Sequence, residues 1–150
     1  MKRGLVLLIV MAATLPLYAE NLASLADIKK LTDIVMKDLV SNNYQSAIEK
    51  MKPVSILGDQ NFEKIQSSLE SQLPQMQSAY GKSLSFQILS QDGVNNSLFR
   101  VRYLDLREKF ALRWTFVFYN NGTGWTLISF SFDDGILKLF PEEYSPKPNQ

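Results

Sequence analysis

The chain has 150 residues, 45% of them hydrophobic, with 16 basic residues against 15 acidic ones and neither cysteine nor histidine. That length suits one domain with a sizeable core. The two missing residue types exclude disulfides, zinc sites of the usual Cys/His kind and His-based triads, and the balanced charge lacks the basic face by which proteins hold nucleic acid.

The first segment reads as a leader. Lys2 and Arg3 precede an apolar run from Gly4 to Leu17, and small Ala19 closes a cleavage site. This is the build of a secretory signal peptide, and the run falls short of the ~20 residues of a membrane span. Residues 1–19 are therefore expected to be removed. Residues 20–150 then form a single exported domain, periplasmic or extracellular, with no stable membrane anchor. Losing Lys2 and Arg3 leaves 14 basic residues against 15 acidic ones, a net charge of −1.

Three helices are expected next. From Ser24 to Asn42 the apolar positions Leu25, Ile28, Leu31, Val35 and Leu39 fall in steps of three and four, one helical stripe. Ser24 with Asp27 fits a capping box. Tyr44, Ala47, Ile48 and Met51 make a short second helix stopped by Pro53. A third starts near Asn61, carries Phe62, Ile65, Leu69, Leu73, Met76 and Tyr80, is kinked by Pro74 and stops at Gly81.

After Gly81 the period changes to two. Leu84, Phe86 and Ile88 alternate with polar residues, Gln91-Asp92-Gly93 turns the chain, and the sequons Asn95-Asn96-Ser97 and Asn121-Gly122-Thr123 also read as turns. Phe99, Val101 and Tyr103 form a second strand. A third carries Phe110, Leu112, Trp114, Phe116 and Phe118, and the fourth runs from Trp125 to Asp133. Short connections make this an antiparallel meander. Asn121-Gly122, as a two-residue hairpin turn, sets Phe118 opposite Trp125 and Phe116 opposite Leu127. The tail from about residue 141 holds three prolines and is expected to be loose.

That register divides the sheet into two faces. One is strongly apolar and awaits the helices. The other carries Val117, Ile128, Phe130 and Phe132, more apolar than a solvated sheet face should be. They mark either a partner surface, most simply a homodimer interface, or a region covered by the chain's ends or a bend of the sheet.

Helices followed by this meander are similar to the nuclear transport factor two-like, or cystatin-like, α+β class. The residues that carry the resemblance are Asn43-Tyr44-Gln45-Ser46-Ala47-Ile48, the helix Leu69 to Tyr80 with Gly81 after it, and Gly124-Trp125 with Phe132-Asp133-Asp134. Within the class the chain most resembles small exported bacterial domains of unknown function. The resemblance covers residues 24–135. It implies a cone, in which a curved four-stranded sheet wraps three helices and leaves a pocket at the open end. Members use such a pocket for isomerase or dehydratase chemistry, ligand capture or assembly, so fold alone does not assign a role.

Candidate sites are few. Trp114, Phe116 and Trp125 are ligand-lining candidates for an apolar pocket, although such residues are more often core. Tyr103 and Asp105 share a strand face and are the weak catalytic candidates, a Tyr/Asp pair of the kind used in steroid isomerases. Arg100, Arg102 and Arg113 could gather as an anion site, and Asp133-Asp134 as a cation site; a solvated strand face and a turn are the plainer readings. Asp105, Arg107, Glu108 and Lys109 read as a charged hairpin tip. No phosphate loop, serine elbow, metal-ligand cluster or cofactor motif occurs. The leading expectation is a non-enzymatic exported domain that binds a small apolar ligand or a protein partner. The alternatives are an enzyme using the cone pocket and an assembly or inhibitory subunit of an envelope system.

N-terminal sequencing of the protein recovered outside the cytoplasm should begin at or near Glu20; an intact Met1 on folded cytoplasmic protein would refute the leader reading.

Overall fold

Ser24 begins the first helix as expected: its hydroxyl accepts the Asp27 amide at 3.2 Å and donates to the Asp27 carboxylate at 2.7 Å. The computed structural model describes residues 20–140; the leader read over 1–19 and the tail from 141 lie outside them. Helix α1 spans Leu25–Val40 and buries Ile28, Thr32, Val35, Met36 and Leu39, whereas Leu25 stays exposed. Asn42, at φ 59°, supplies the left-handed residue that ends it. Helix α2 (Tyr44–Met51) buries Tyr44, Ala47, Ile48 and Met51, and a single 3-10 turn (Lys52–Val54) absorbs Pro53. Helix α3 (Asp59–Tyr80) runs through Pro74 unbroken. It buries only Phe62, Leu69 and Met76, a seven-residue spacing that makes one narrow contact stripe.

Strands β1 (Ser83–Val94), β2 (Leu98–Arg107), β3 (Ala111–Asn120) and β4 (Trp125–Asp133) form one antiparallel sheet in chain order. The chain is therefore α+β, three helices followed by a four-stranded meander. The helices cover one face, where Tyr103, Trp114, Phe116, Phe118 and Leu127 meet Ile28, Met36, Ile48 and Phe62 in one buried cluster.

Three local expectations are corrected. Gln91-Asp92-Gly93 does not turn the chain but lies inside β1; the turn is Asn95-Asn96-Ser97, with Asn95 at φ 50°. Asparagine tolerates that left-handed conformation, so no glycine is needed there. The Asn121 hairpin has a four-residue loop, and the register sets Asn120 opposite Trp125 and Phe118 opposite Leu127. Gly124, at φ 149°, is part of the reason: a Cβ there would lie 2.8 Å from the Leu22 carbonyl oxygen. That close approach lets Leu22 pair with Trp125 through two backbone hydrogen bonds of 2.9 and 2.8 Å.

The third correction concerns the sheet faces. β4 contains a β-bulge, because Val117 pairs with Ser129 while Phe118 pairs with Leu127, leaving Ile128 as an extra residue. One inserted residue reverses the alternation. Trp125 and Leu127 point to the helices, and so do Phe130 and Phe132. Phe130 packs against Phe116 at 5.2 Å and Trp114 at 5.6 Å, and Phe132 against Trp114 at 4.8 Å between ring centres. Of the four residues read as one outer interface, Val117 remains opposite Ser129 on the outer face, Ile128 is the bulge, and the two phenylalanines belong to the inner face.

Trp114 is buried beneath both phenylalanines. Trp114→Ala should cost about 3–5 kcal/mol in urea unfolding, the range for emptying a large aromatic site. A loss under about 1 kcal/mol would show that the site is not core.

Candidate functional site

The inner face of β2 carries a run of polar groups under the helices. Tyr103, Asp105 and Arg107 are all buried, with Asp105 only 2% exposed. Tyr103 reaches α1: its hydroxyl donates to Asp33 Oδ1 at 2.7 Å and lies 2.8 Å from Thr32 Oγ1, which also hydrogen-bonds the Ile28 carbonyl. Burial is the main influence on this phenol, and with the Asp33 carboxylate it pushes the pKa well above the ordinary range. Tyr103 is thus a fixed neutral donor that ties the sheet to α1.

Asp105 is held differently. Its carboxylate accepts the Ser83 hydroxyl from β1, and Arg107 Nε stands 3.8 Å away. The Trp114 indole faces the same carboxylate without closing a hydrogen bond, and Arg107 Nε and Nη1 also lack partners. Burial raises the Asp105 pKa from 3.8, against the opposing pull of Ser83, Arg107 and Trp114. Asp105 and Arg107 therefore lie inside β2, and only Glu108–Phe110 remain as an exposed tip.

Tyr103 and Asp105 do share a face, as alternation requires, but they are sealed in the core and serve different partners. Neither lines a cleft described below. Trp114, Phe116 and Trp125 likewise belong to the packed interior. Thr32, Asp33 and Ser83 carry no expectation from the sequence, and Arg107, expected at an exposed hairpin tip, is buried. One signal was present: Thr32 falls on the stripe of Ile28 and Val35, a polar residue at a core position that calls for a partner.

The outer face carries three arginines among the apolar side chains of Leu104, Leu106 and Val117. Arg100 is bonded to Asp92, Arg102 to Ser90 at 2.8 Å, and Arg113 to both oxygens of Asp133 at 2.9 and 3.0 Å. The three arginines do lie on one face, but each faces a partner from its own sheet. Asp133 is held by Arg113 and also accepts the Gly135 amide at 2.8 Å, which makes the Asp133-Asp134-Gly135 stretch a hydrogen-bonded turn. No group of three or more metal-ligating side chains occurs among the described residues. None of their helices is long and apolar enough to cross a membrane.

The open ground lies between α3 and β4. A cleft of about 330 Å³ is lined by Ile65 and Leu69 on the helix and Phe130 and Phe132 on the strand, with Lys64 and Ser68 at its rim. A second, of about 230 Å³, continues past Phe132 to Met76, Tyr80 and Asp134. Helix and strand thus run in the same direction along one groove. Its floor is the pair of phenylalanines turned inward by the bulge. The groove borders an incomplete strand edge. Leu22 pairs with Trp125, and Ser55 and Ile56 bond to Leu127, but no described residue pairs with that edge of β4 beyond Leu127.

Comparison with protein-family models, curated proteins and solved structures gave no match to this chain.

The Asp105 environment has a pH signature. The folded pKa is raised, so between the unfolded value near 3.8 and the folded value the native state holds more protons. Stability from this group is greatest below that window and falls as pH rises through the folded pKa. Asp105→Asn should remove that decline, so that its urea midpoint gains on wild type as the pH rises above about 4. Parallel profiles for the two proteins would contradict the buried-carboxylate account.

Proposed function

We infer that this is an exported, non-enzymatic binding domain whose docking surface is the groove between α3 and β4, and that it receives an extended polypeptide by strand addition. One observation carries the reading: the first part of the β4 edge, Trp125 to Leu127, already accepts strand-like segments from Leu22 and Ser55–Ile56, while the rest lies open beside an apolar trough. Unpaired backbone groups supply affinity in such binding, and flanking pockets select alternate side chains. The buried polar run argues against the isomerase-like alternative, because its carboxylate is enclosed. The order of helices and strands supports the likeness to nuclear transport factor two-like domains, with the occupied position moved from the interior of a cone to its side. The leader pattern over residues 1–19 supports a periplasmic or extracellular address.

Trp114 reports on the groove because both Phe130 and Phe132 stack on it. At dilute protein, an alternating valine–threonine heptapeptide should shift the tryptophan emission saturably. The same peptide with every second amide N-methylated cannot complete the ladder and should not. An equal response to both, or none to either, would refute strand addition by a foreign polypeptide.

A further inference from the structure

We propose that the strand received by this groove is β4 of a second copy of the chain, in a two-fold antiparallel pair centred on Ser131. The proposal rests on the groove reading above and adds the identity of the occupant. A two-fold interface must be self-complementary, and three features of this edge meet that demand.

The first is the residue pattern. The open stretch reads Ser129-Phe130-Ser131-Phe132-Asp133. Antiparallel pairing about Ser131 sets Phe130 opposite the partner's Phe132 and Ser131 opposite itself. The aromatic floor of one groove then continues into that of the other.

The second is charge. Helix α3 runs in the direction of β4, with Lys64 beside Phe130 and Tyr80 at the far end, where its hydroxyl bonds to Asp134 at 2.8 Å. Within one chain, a helix rise of 1.5 Å per residue puts Lys64 about 24 Å from the Tyr80–Asp134 end. An antiparallel pair reverses one copy. Each Lys64 then comes alongside the acidic end of the other groove, near the partner's Asp134. Both residues are exposed, and Lys64 makes no salt bridge within its own chain among the described residues.

The third is the absence of protection. Natural edge strands are blunted by proline, lysine, bulges or covering segments. β1, the opposite edge, has register shifts at two places. β4 is covered up to Leu127, and its bulge lies at Ile128. The five residues beyond carry no proline and no lysine.

The cysteine-free chain permits a direct test. Opposed residues in an antiparallel pair lie about 4.5–5.5 Å apart at Cα, within the roughly 4.4–6.8 Å that a disulfide spans. Under mild oxidation Ser131→Cys should give a disulfide dimer, whereas Thr115→Cys, its neighbour on the outer face of β3, should stay monomeric. In sedimentation equilibrium of the described domain with its tail, Lys64→Glu and Asp134→Lys should each weaken self-association about tenfold, because every exchange enters twice. The double exchange should restore it. Both positions are exposed, so folding is not at risk, and rescue between sites so far apart in one chain can only be intermolecular. A wild type that remains monomeric at high concentration, equal crosslinking at positions 115 and 131, or a double exchange no better than the single ones would overturn the second-copy proposal. If the heptapeptide still binds in that case, the groove reading survives and its strand comes from another protein. If the heptapeptide fails while Ser131→Cys crosslinks and the exchange rescues, the edge is reserved for its own copy.

Discussion

A single extra residue in β4 determines what this domain presents to its surroundings. Were Ile128 paired with Val117 in strict alternation, Phe130 and Phe132 would pass to the outer face, opposite Thr115 and Arg113. With it, both rings return to Trp114 and Phe116. The consequence reaches α3. That helix has only three fully buried residues in 22, so it touches the sheet along a line and not over a face. Phe130 and Phe132 fill part of the space beneath it, and what remains unfilled is the groove. The bulge therefore completes the core and creates the opening in one step.

The rest of the inner face is fastened by polar contacts set among the apolar ones. Tyr103 spans from β2 to Thr32 and Asp33 on α1, and Asp105 spans to Ser83 on β1. Apolar packing is tolerant of small shifts, whereas a buried hydrogen bond has a narrow range of distance and angle. These contacts fix how α1 and β1 sit on β2. The Asp105–Arg107 pair is a less comfortable case. Both groups are desolvated, their contact is 3.8 Å, and two guanidinium nitrogens have no acceptor. Buried pairs of this quality contribute little net stability, yet removing one member strands the other. Specificity of packing, not strength, is the benefit consistent with this geometry.

Much of the fold was legible because it rests on periodicity. The stripe from Ile28 to Leu39, the Ser24 cap, the Gly81 stop and the alternation in β2 and β3 are all local signals, and local physics decided them. The corrected features depend on contacts distant in sequence. The length of the Asn121 loop follows from Leu22 pairing with Trp125, a hundred residues apart in the chain. The bulge at Ile128 leaves no mark in composition, since Leu127, Ile128, Phe130 and Phe132 read equally well in either phase. The error in sheet faces was thus one of parity, and every assignment beyond Ile128 inherited it. Asp105 and Arg107 looked like a hairpin tip because charge near a turn is usually solvated; their burial became visible only with Ser83 and Trp114 in place.

The same parity change accounts for why the apolar excess in β4 is better understood at an edge than on a face. The outer surface sets Arg–Asp pairs and serines beside Leu104, Leu106 and Val117, and Phe130 and Phe132 no longer add to it. The inner surface is packed except along the groove. The edge alone combines unpaired backbone with flanking aromatic area, and those two properties together define a surface that gains by acquiring one more strand. Leu22 and Ser55–Ile56 show how the fold deals with the first part of that edge: short segments of the chain itself lie along it and stop at Leu127. They stop where the bulge bends the strand. Past that point α3 stands over the edge at the width of a groove, and room is left beside Phe130 and Phe132 for side chains that an incoming strand would bring.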